Sequence, residues 1–376
     1  MNEDRGTRYQ RLRRRTTMVA AAWAVLLTAV LLVSGTHHSI RDAGWRAVAF
    51  LPAAAQDTFV PAVCALALVA LHELVLAPLL FVGRYGLDRR FGLTTQRPSA
   101  WCTDHARAVA VGGASSVLAA TAVYAAIRTW PAHWWLPVWT GALCTGVFLL
   151  WAVPAWFVPR LSRITPLRRE ELVRRLNALA ARAGVRAIGV YAWHLGAASP
   201  RANAVLTGLG ASRRILLSEA LLADYSDDEI EVILAHELAH HAGADTWKTM
   251  AVEAVVLGVS LLAGQRALEA MGGAVGLTAV SDPAGLPLLV LAGSLVAACA
   301  TPALRAVSRA VERRADWQAL ELTRNPQAFT AAIRRLSAAT LADEDPPGWV
   351  RLWFYSHPPV SERLALAGRW ASRETR

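Results

Sequence analysis

Six stretches, 17–34, 59–82, 108–127, 135–158, 250–268 and 286–304, are apolar almost throughout rather than at the period of an amphipathic helix or strand. Runs of about twenty such residues match the hydrocarbon thickness of a bilayer crossed by an α-helix. A helix also satisfies its own backbone where no water can. The expected fold is therefore mainly α, a polytopic helical membrane protein of about six spans. Composition agrees, because 55% of the 376 residues are hydrophobic and only 18% charged, against about a quarter in soluble domains. Disorder is excluded on the same ground. The first run is not a cleavable signal peptide, since no small-residue cleavage site follows it. Glu253 and Arg266 in the fifth run would be costly against lipid, so both are expected to face the bundle or its rim.

The net charge of +11 is almost all arginine, with Lys248 the sole lysine. Arg5, Arg8, Arg11, Arg13, Arg14 and Arg15 precede the first span, and Arg84, Arg89, Arg90 and Arg97 follow the second. The opposite loops are poor in positive charge. Arginines beside apolar runs set topology and meet anionic headgroups, so the lipid bilayer is a partner and both clusters are expected on the cytoplasmic side. No basic patch is interleaved with aromatics, which argues against nucleic acid. The organisation that follows is a basic tail (1–16), a four-span region (17–158), a cytoplasmic insert (159–248), a two-span hairpin (249–304) and a cytoplasmic tail (305–376). Cys64, Cys102, Cys144 and Cys299 are too widely spaced for a disulfide framework or a paired-cysteine zinc site and read as buried apolar fillers.

The insert opens with an amphipathic helix over 168–183, which Gly184 closes. Short apolar segments at 186–193, 203–208 and 213–217, separated by Gly, Pro and Ser, suggest a small sheet and an α+β unit.

Ser226, Asp227, Asp228 and Glu229 form a capping box that starts a helix. On it lie His236, Glu237, Leu238, Ala239 and His240. Histidines four apart project from one face, one turn apart, which is the spacing two imidazoles need to share one metal ion. Glu237 beside them can take a proton from an activated water and pass it to a leaving amine. His241 points about 100° from His240 and reads as structural. A catalytic zinc needs a third protein ligand. Nearby, position 246 is Thr246, and Asp245 falls one residue short of it. Farther on, Glu312 and Asp316 share a helix face, so one can bind metal while the other orients a ligand histidine. Their bland reading is a pair of salt bridges to Arg309 and Arg313.

Four blocks together resemble the membrane zinc metalloproteases of the Ste24 type, the CAAX prenyl protease family (M48) and its bacterial members. They are Arg84, Tyr85, Gly86 and Leu87 with Phe91, Gly92, Leu93, Thr94, Thr95, Gln96, Trp101 and Asp104; Asn203 and Ala204 with Arg214 and Ile215; His236 through His241; and Glu312 and Asp316 followed by Tyr355, Ser356, His357, Pro358, Pro359, Glu362 and Arg363. The resemblance implies a zincin-like catalytic unit with one Zn2+ per chain held by His236, His240 and Glu312. It implies Glu237 as general base and Asp316 behind a ligand histidine. Asn203, His357 and Arg363 match positions that hold the substrate backbone or carboxylate near the metal. It further implies a multi-pass enzyme of the bacterial plasma membrane, with both termini and the catalytic unit cytoplasmic, that acts on a peptide or protein, membrane-anchored or not.

The chain departs from eukaryotic members in having six spans instead of seven and a shorter insert, so peptide hydrolysis transfers better than substrate identity. Rival readings are a heat-shock quality-control protease, an antirepressor-type zinc protease, and a zinc-binding membrane scaffold or transporter. The last rests on His72 and Glu73 within the second span, which are expected to face the bundle interior and line a chamber.

Overall fold

The computed structural model describes residues 4–153, 163–185, 189–194, 202–207 and 213–374. Among them are α1 (Arg5–Val33), α2 (Thr36–Ala47), α3 (Ala53–Leu80), α4 (Leu87–Arg90), α5 (Pro98–Thr129) and α6 (Trp135–Ala152). Strand β1 (Arg163–Pro166) and helix α7 (Glu170–Arg182) lead to β2 (Gly189–His194), β3 (Ala204–Thr207) and β4 (Arg214–Ser218). Then come α8 (Glu219–Asp224), α9 (Asp227–Ala242), α10 (Asp245–Met271), α11 (Leu286–Thr323), α12 (Pro326–Thr340), α13 (Gly348–Phe354) and α14 (Val360–Glu374). The expected end of the fourth span (154–158), the opening of the insert (159–162), positions 186–188 of the first expected strand and Gly208 lie outside the described residues.

Among the described residues six helices are long and apolar enough to cross a membrane, and each coincides with one of the expected runs. The chain divides into two compact units, Leu12–Cys144 with Glu253–Ala300, and Met1–Arg11 with Thr145–Val252 and Thr301–Arg376.

In the first unit, Val60, Cys64, Tyr124, Ile127, Trp134 and Leu268 form the interior. Leu74 and Leu118 leave 71% of their surface bare, an apolar exterior that suits lipid and not water. A π-turn over Phe81–Gly86 ends α3 after Pro78, which has no N–H to donate. There Gly83 meets α1: the Thr16 hydroxyl donates to the Gly83 carbonyl at 3.0 Å, and a side chain on Gly83 would collide with Thr16. Small residues allow this close crossing. Elsewhere in the unit Asp282, with a 2% exposed side chain, pairs with Arg41 at 2.8 Å and caps Ala284, as a buried charge requires. His72 and Glu73 line an interior cavity of about 840 Å³, where Glu73 Oε2 lies 3.0 Å from His105 Nε2.

Two expectations need correction. Only Cys64 is buried, whereas Cys102, Cys144 and Cys299 are exposed, where a thiol serves as a small hydrophobe. Glu253 and Arg266 are both exposed, which removes the bundle-facing alternative of that expectation and not the rim. With its 27 residues α10 exceeds the roughly twenty that a bilayer needs, and Arg266 lies in its last two turns. Arg266 pairs there with Glu269 at 2.9 Å.

The second unit holds a four-stranded sheet in the order β1-β2-β4-β3. β1 and β3 lie antiparallel to their neighbours and β2 runs parallel to β4, so β3 is an edge strand. β1 was missed in the sequence because its four residues, with a proline, carry no alternation. Leu172, Leu176 and Leu179 of α7 bury one helical stripe with Ile215 and Leu217 of β4 and with Ile230, Leu234 and Leu238 of α9. Phe329 and Ile333 of α12 and Trp370 of α14 complete this core.

Candidate metal centre and active site

Helix α9 begins as its sequence dictates. The Ser226 hydroxyl accepts the Glu229 N–H at 3.3 Å, and the Glu229 carboxylate accepts the Ser226 N–H at 2.8 Å. Buried Glu229 also accepts from Arg335 at 3.2 Å. Two turns later the apolar stripe of the helix is in the core, which turns His236 and His240 out of the other side.

The two imidazoles point Nε2 at Nε2, 3.1 Å apart. Glu312 arrives on α11, with Oε2 3.2 Å from His236 Nε2 and Oε1 3.6 Å from His240 Nε2. A tetrahedral zinc with ligand bonds of about 2.0–2.1 Å has ligand–ligand edges of about 3.3–3.4 Å, and these separations bracket that value. Glu312 Oε2 is buried without a hydrogen bond, an arrangement that a cation at the same point would satisfy. Burial alone would lower the pKa of His236, but Asp316 and Glu312 outweigh it and raise the value to about 9. The cluster favours positive charge, and its donor set suits zinc.

Each imidazole is backed by a carboxylate. His236 Nδ1 lies 2.9 Å from Asp316 Oδ1 and His240 Nδ1 lies 3.0 Å from Asp245 Oδ2. Donation from His240 Nδ1 leaves its Nε2 lone pair on the common point, while His236 Nδ1 stands at ion-pair distance from Asp316. Each carboxylate is in turn held by an arginine. Fully buried Asp316 takes Arg363 Nε at 2.8 Å and a terminal nitrogen at 2.5 Å, while Asp245 takes Arg314. Gly243 makes room for that last contact, because a Cβ there would collide with the Arg314 guanidinium. Ala244 then takes a left-handed backbone, φ 53°, which reverses the chain and starts α10 at Asp245 beside His240. A strained alanine next to a functional carboxylate is where such conformations are retained.

Glu237 is half-buried, and its pKa is raised chiefly by that burial, against the lowering effect of His236 and His240. A raised carboxylate is better matched to proton transfer near neutrality. His241 is partly buried, and its pKa is lowered chiefly by that burial and by Arg213. His357 Nε2 stands 3.3 Å from Glu312 Oε1 on an exposed ring. Its place is set from α11, where Ser308 donates to the Ser356 carbonyl at 2.8 Å and Arg309 donates to the Arg351 and Tyr355 carbonyls at 2.7 and 2.8 Å.

Tertiary contacts thus gather His236, His240, Glu312, Asp316, His357 and Arg363, with Glu237 alongside. Arg309 and Arg313 do not pair with Glu312 or Asp316, since Arg313 meets Glu362 at 3.2 Å. The Arg363 guanidinium bonds Asp316 through Nε and one terminal nitrogen, and the same carboxylate contacts His236. Asn203 stands apart from this cluster, just before β3. Its N–H donates to the Ser218 hydroxyl at 2.8 Å, its carbonyl accepts the Ser218 N–H at 2.9 Å, and its side chain is exposed. β3 packs along α9.

Sequence reasoning missed Asp245 and Arg314 as a supporting pair. The available signals were an acid just past a glycine turn after the second histidine, and an arginine between Glu312 and Asp316.

The model for peptidase family M48 matches residues 166–371, and the model described as "CAAX prenyl protease N-terminal, five membrane helices" matches residues 4–163. The "uncharacterized metalloprotease YhfN" of Bacillus subtilis is 29% identical over 347 residues, covering 90% of this chain and 79% of that protein. A "protease HtpX homolog" of Methanopyrus kandleri is 31% identical over 187 residues, 45% of this chain and 56% of its own length. The crystal structure of S. mikatae Ste24p superposes with a TM-score of 0.80 at 19% identity, covering 96% of this chain and 87% of that one, which establishes a common fold.

Proposed function

The chain belongs to peptidase family M48, and from that premise we propose that it is an integral-membrane zinc metalloendopeptidase of Ste24-like design that cleaves peptides or membrane-associated proteins. The observation that carries this reading is the convergence of His236 Nε2, His240 Nε2 and the Glu312 carboxylate on one point, with a carboxylate beside each Nδ1. Zinc bound there would supply a Lewis acid for the scissile carbonyl and an acidified water.

The chain's own residues do the rest. Glu237 accepts the proton of the attacking water and delivers it to the leaving amine, and its raised pKa favours that exchange. His357, on an exposed ring beside Glu312, is placed to donate to a substrate carbonyl oxygen as negative charge develops. Arg363 keeps Asp316, and through it His236, in register. The edge of β3 that no described strand pairs with suits an extended substrate backbone, with the exposed Asn203 side chain at its start to hold one peptide group. The two arginine clusters favour a catalytic unit on the cytoplasmic face of a bacterial plasma membrane.

The test compares the intact enzyme with Glu237→Gln. The variant should keep about one zinc per chain and lose cleavage of a quenched fluorescent peptide by a factor of 100 or more. Undiminished cleavage refutes the general-base role, and an intact chain that binds no zinc refutes the enzyme. Comparing membrane peptides by mass spectrometry from cells carrying each form would then identify the cut sites.

A further inference from the structure

The first unit contains a second cavity, about 720 Å³, where α1 crosses the π-turn that ends α3. Its floor is apolar: Val19, Leu79 and Val82 line it, and Val19 and Val82 leave 54% and 71% of their surface bare. Three arginines, Arg15, Arg89 and Arg90, line the same space, and no carboxylate does. The side chains of Arg15 and Arg90 make no hydrogen bond or ion pair among the described residues. Arg89 donates to the Tyr85 hydroxyl at 3.3 Å, and Tyr85 donates to the Gln96 carbonyl at 2.9 Å. These neutral partners fix the Arg89 guanidinium without cancelling its charge.

Setting topology requires arginines on one side of the membrane. It does not require three of them to converge on one recess with an apolar floor beside the lipid-facing ends of two spans. That combination matches an amphiphile carrying a negative head. We propose that this cavity holds an anionic phospholipid of the bilayer. Its phosphodiester lies among Arg15, Arg89 and Arg90, and the first part of its acyl chains lies along Val19, Leu79 and Val82. Guanidinium groups bind phosphate oxygens in pairs of parallel hydrogen bonds. A zwitterionic lipid brings a cation that the same arginines repel. An acidic peptide or free phosphate would meet the charge and leave the apolar floor unfilled.

The full-length chain, solubilised in detergent, is titrated with phosphatidylglycerol or phosphatidylcholine of the same acyl chains, and bound lipid is counted by native mass spectrometry. One phosphatidylglycerol should bind at least ten times more tightly than phosphatidylcholine. The double variant Arg15→Gln/Arg90→Gln should lose that preference, about tenfold or more for two charges at an anionic headgroup. Val82→Trp, which fills the floor and keeps every charge, should weaken phosphatidylglycerol as well. Each variant is compared at equal helix content and thermal midpoint, and if the double variant does not fold, Val82→Trp decides alone. Equal binding of the two lipids, or unchanged phosphatidylglycerol binding in the folded variants, overturns the proposal. Displacement of the lipid by millimolar inorganic phosphate, or by an acidic peptide at equal concentration, also overturns it by making charge alone the determinant.

Discussion

Replacing Asp245 tests whether a carboxylate behind His240 governs the metal centre. The contact at stake is His240 Nδ1 to Asp245 Oδ2, 3.0 Å, on a carboxylate whose side chain is only 6% exposed. In Asp245→Ala the ring of His240 can rotate and adopt the other tautomer, which turns a protonated Nε2 toward the metal point. Losing such an outer partner costs 10–100-fold in metal affinity, about 1.4–2.7 kcal/mol. The variant also strands the Arg314 guanidinium, but that side chain is 35% exposed, so the folding cost should stay near 1–2 kcal/mol and the protein should remain folded. Asp245→Asn keeps an acceptor oxygen and loses the charge, so its affinity should fall by about tenfold or less. Zinc affinity is measured by competition with a chromogenic chelator, with Glu237→Gln as a folded control expected to bind normally. A folded Asp245→Ala with intact zinc affinity refutes the reasoning and leaves Asp245 as a mere partner of Arg314.

Three further outcomes follow from the same contacts. Arg363→Met leaves fully buried Asp316 without its guanidinium and should destabilise the second unit by about 3–5 kcal/mol, read as a fall in thermal midpoint and in zinc content together. Leu234→Ala, at a fully buried position of α9, should cost about 2–5 kcal/mol in the same thermal assay while the metal-free helix content is kept. Glu229 supplies a pH test: burial would raise its pKa, but the bonds from Ser226 and Arg335 outweigh that and hold it below the ordinary carboxylate value. Its contribution is therefore present above the unfolded pKa, about 4.3, and lost as pH falls through the lower folded value. Glu229→Gln should be about 1–2 kcal/mol less stable at neutral pH and should show a flatter stability profile below about pH 4.5.

Much of this molecule is local enough to be visible in the chain. Apolar runs of bilayer length need no partner to become helices, so six spans are countable. The Ser226 and Glu229 capping box closes within four residues, and two histidines four apart must share a helix face. The β1 strand and the exposure of Cys102, Cys144 and Cys299 were not visible, because pairing partners and the direction of a helix face are not local properties.

At the metal centre the boundary is sharper. The sequence by itself determined which residue types were available and that His236 and His240 would sit side by side, since helical periodicity is intrinsic to the backbone. Only the tertiary structure decided the allotment of carboxylates: Glu312 between the imidazoles, Asp316 behind one and Asp245 behind the other, with Arg363 and Arg314 holding these two in place. Glu312 and Asp316 share one helix face at one spacing, and nothing in that spacing says which would reach the histidines. The packing of α11 against α9 assigns them, because only a fixed separation between two helices turns equivalent side chains into different distances from one point.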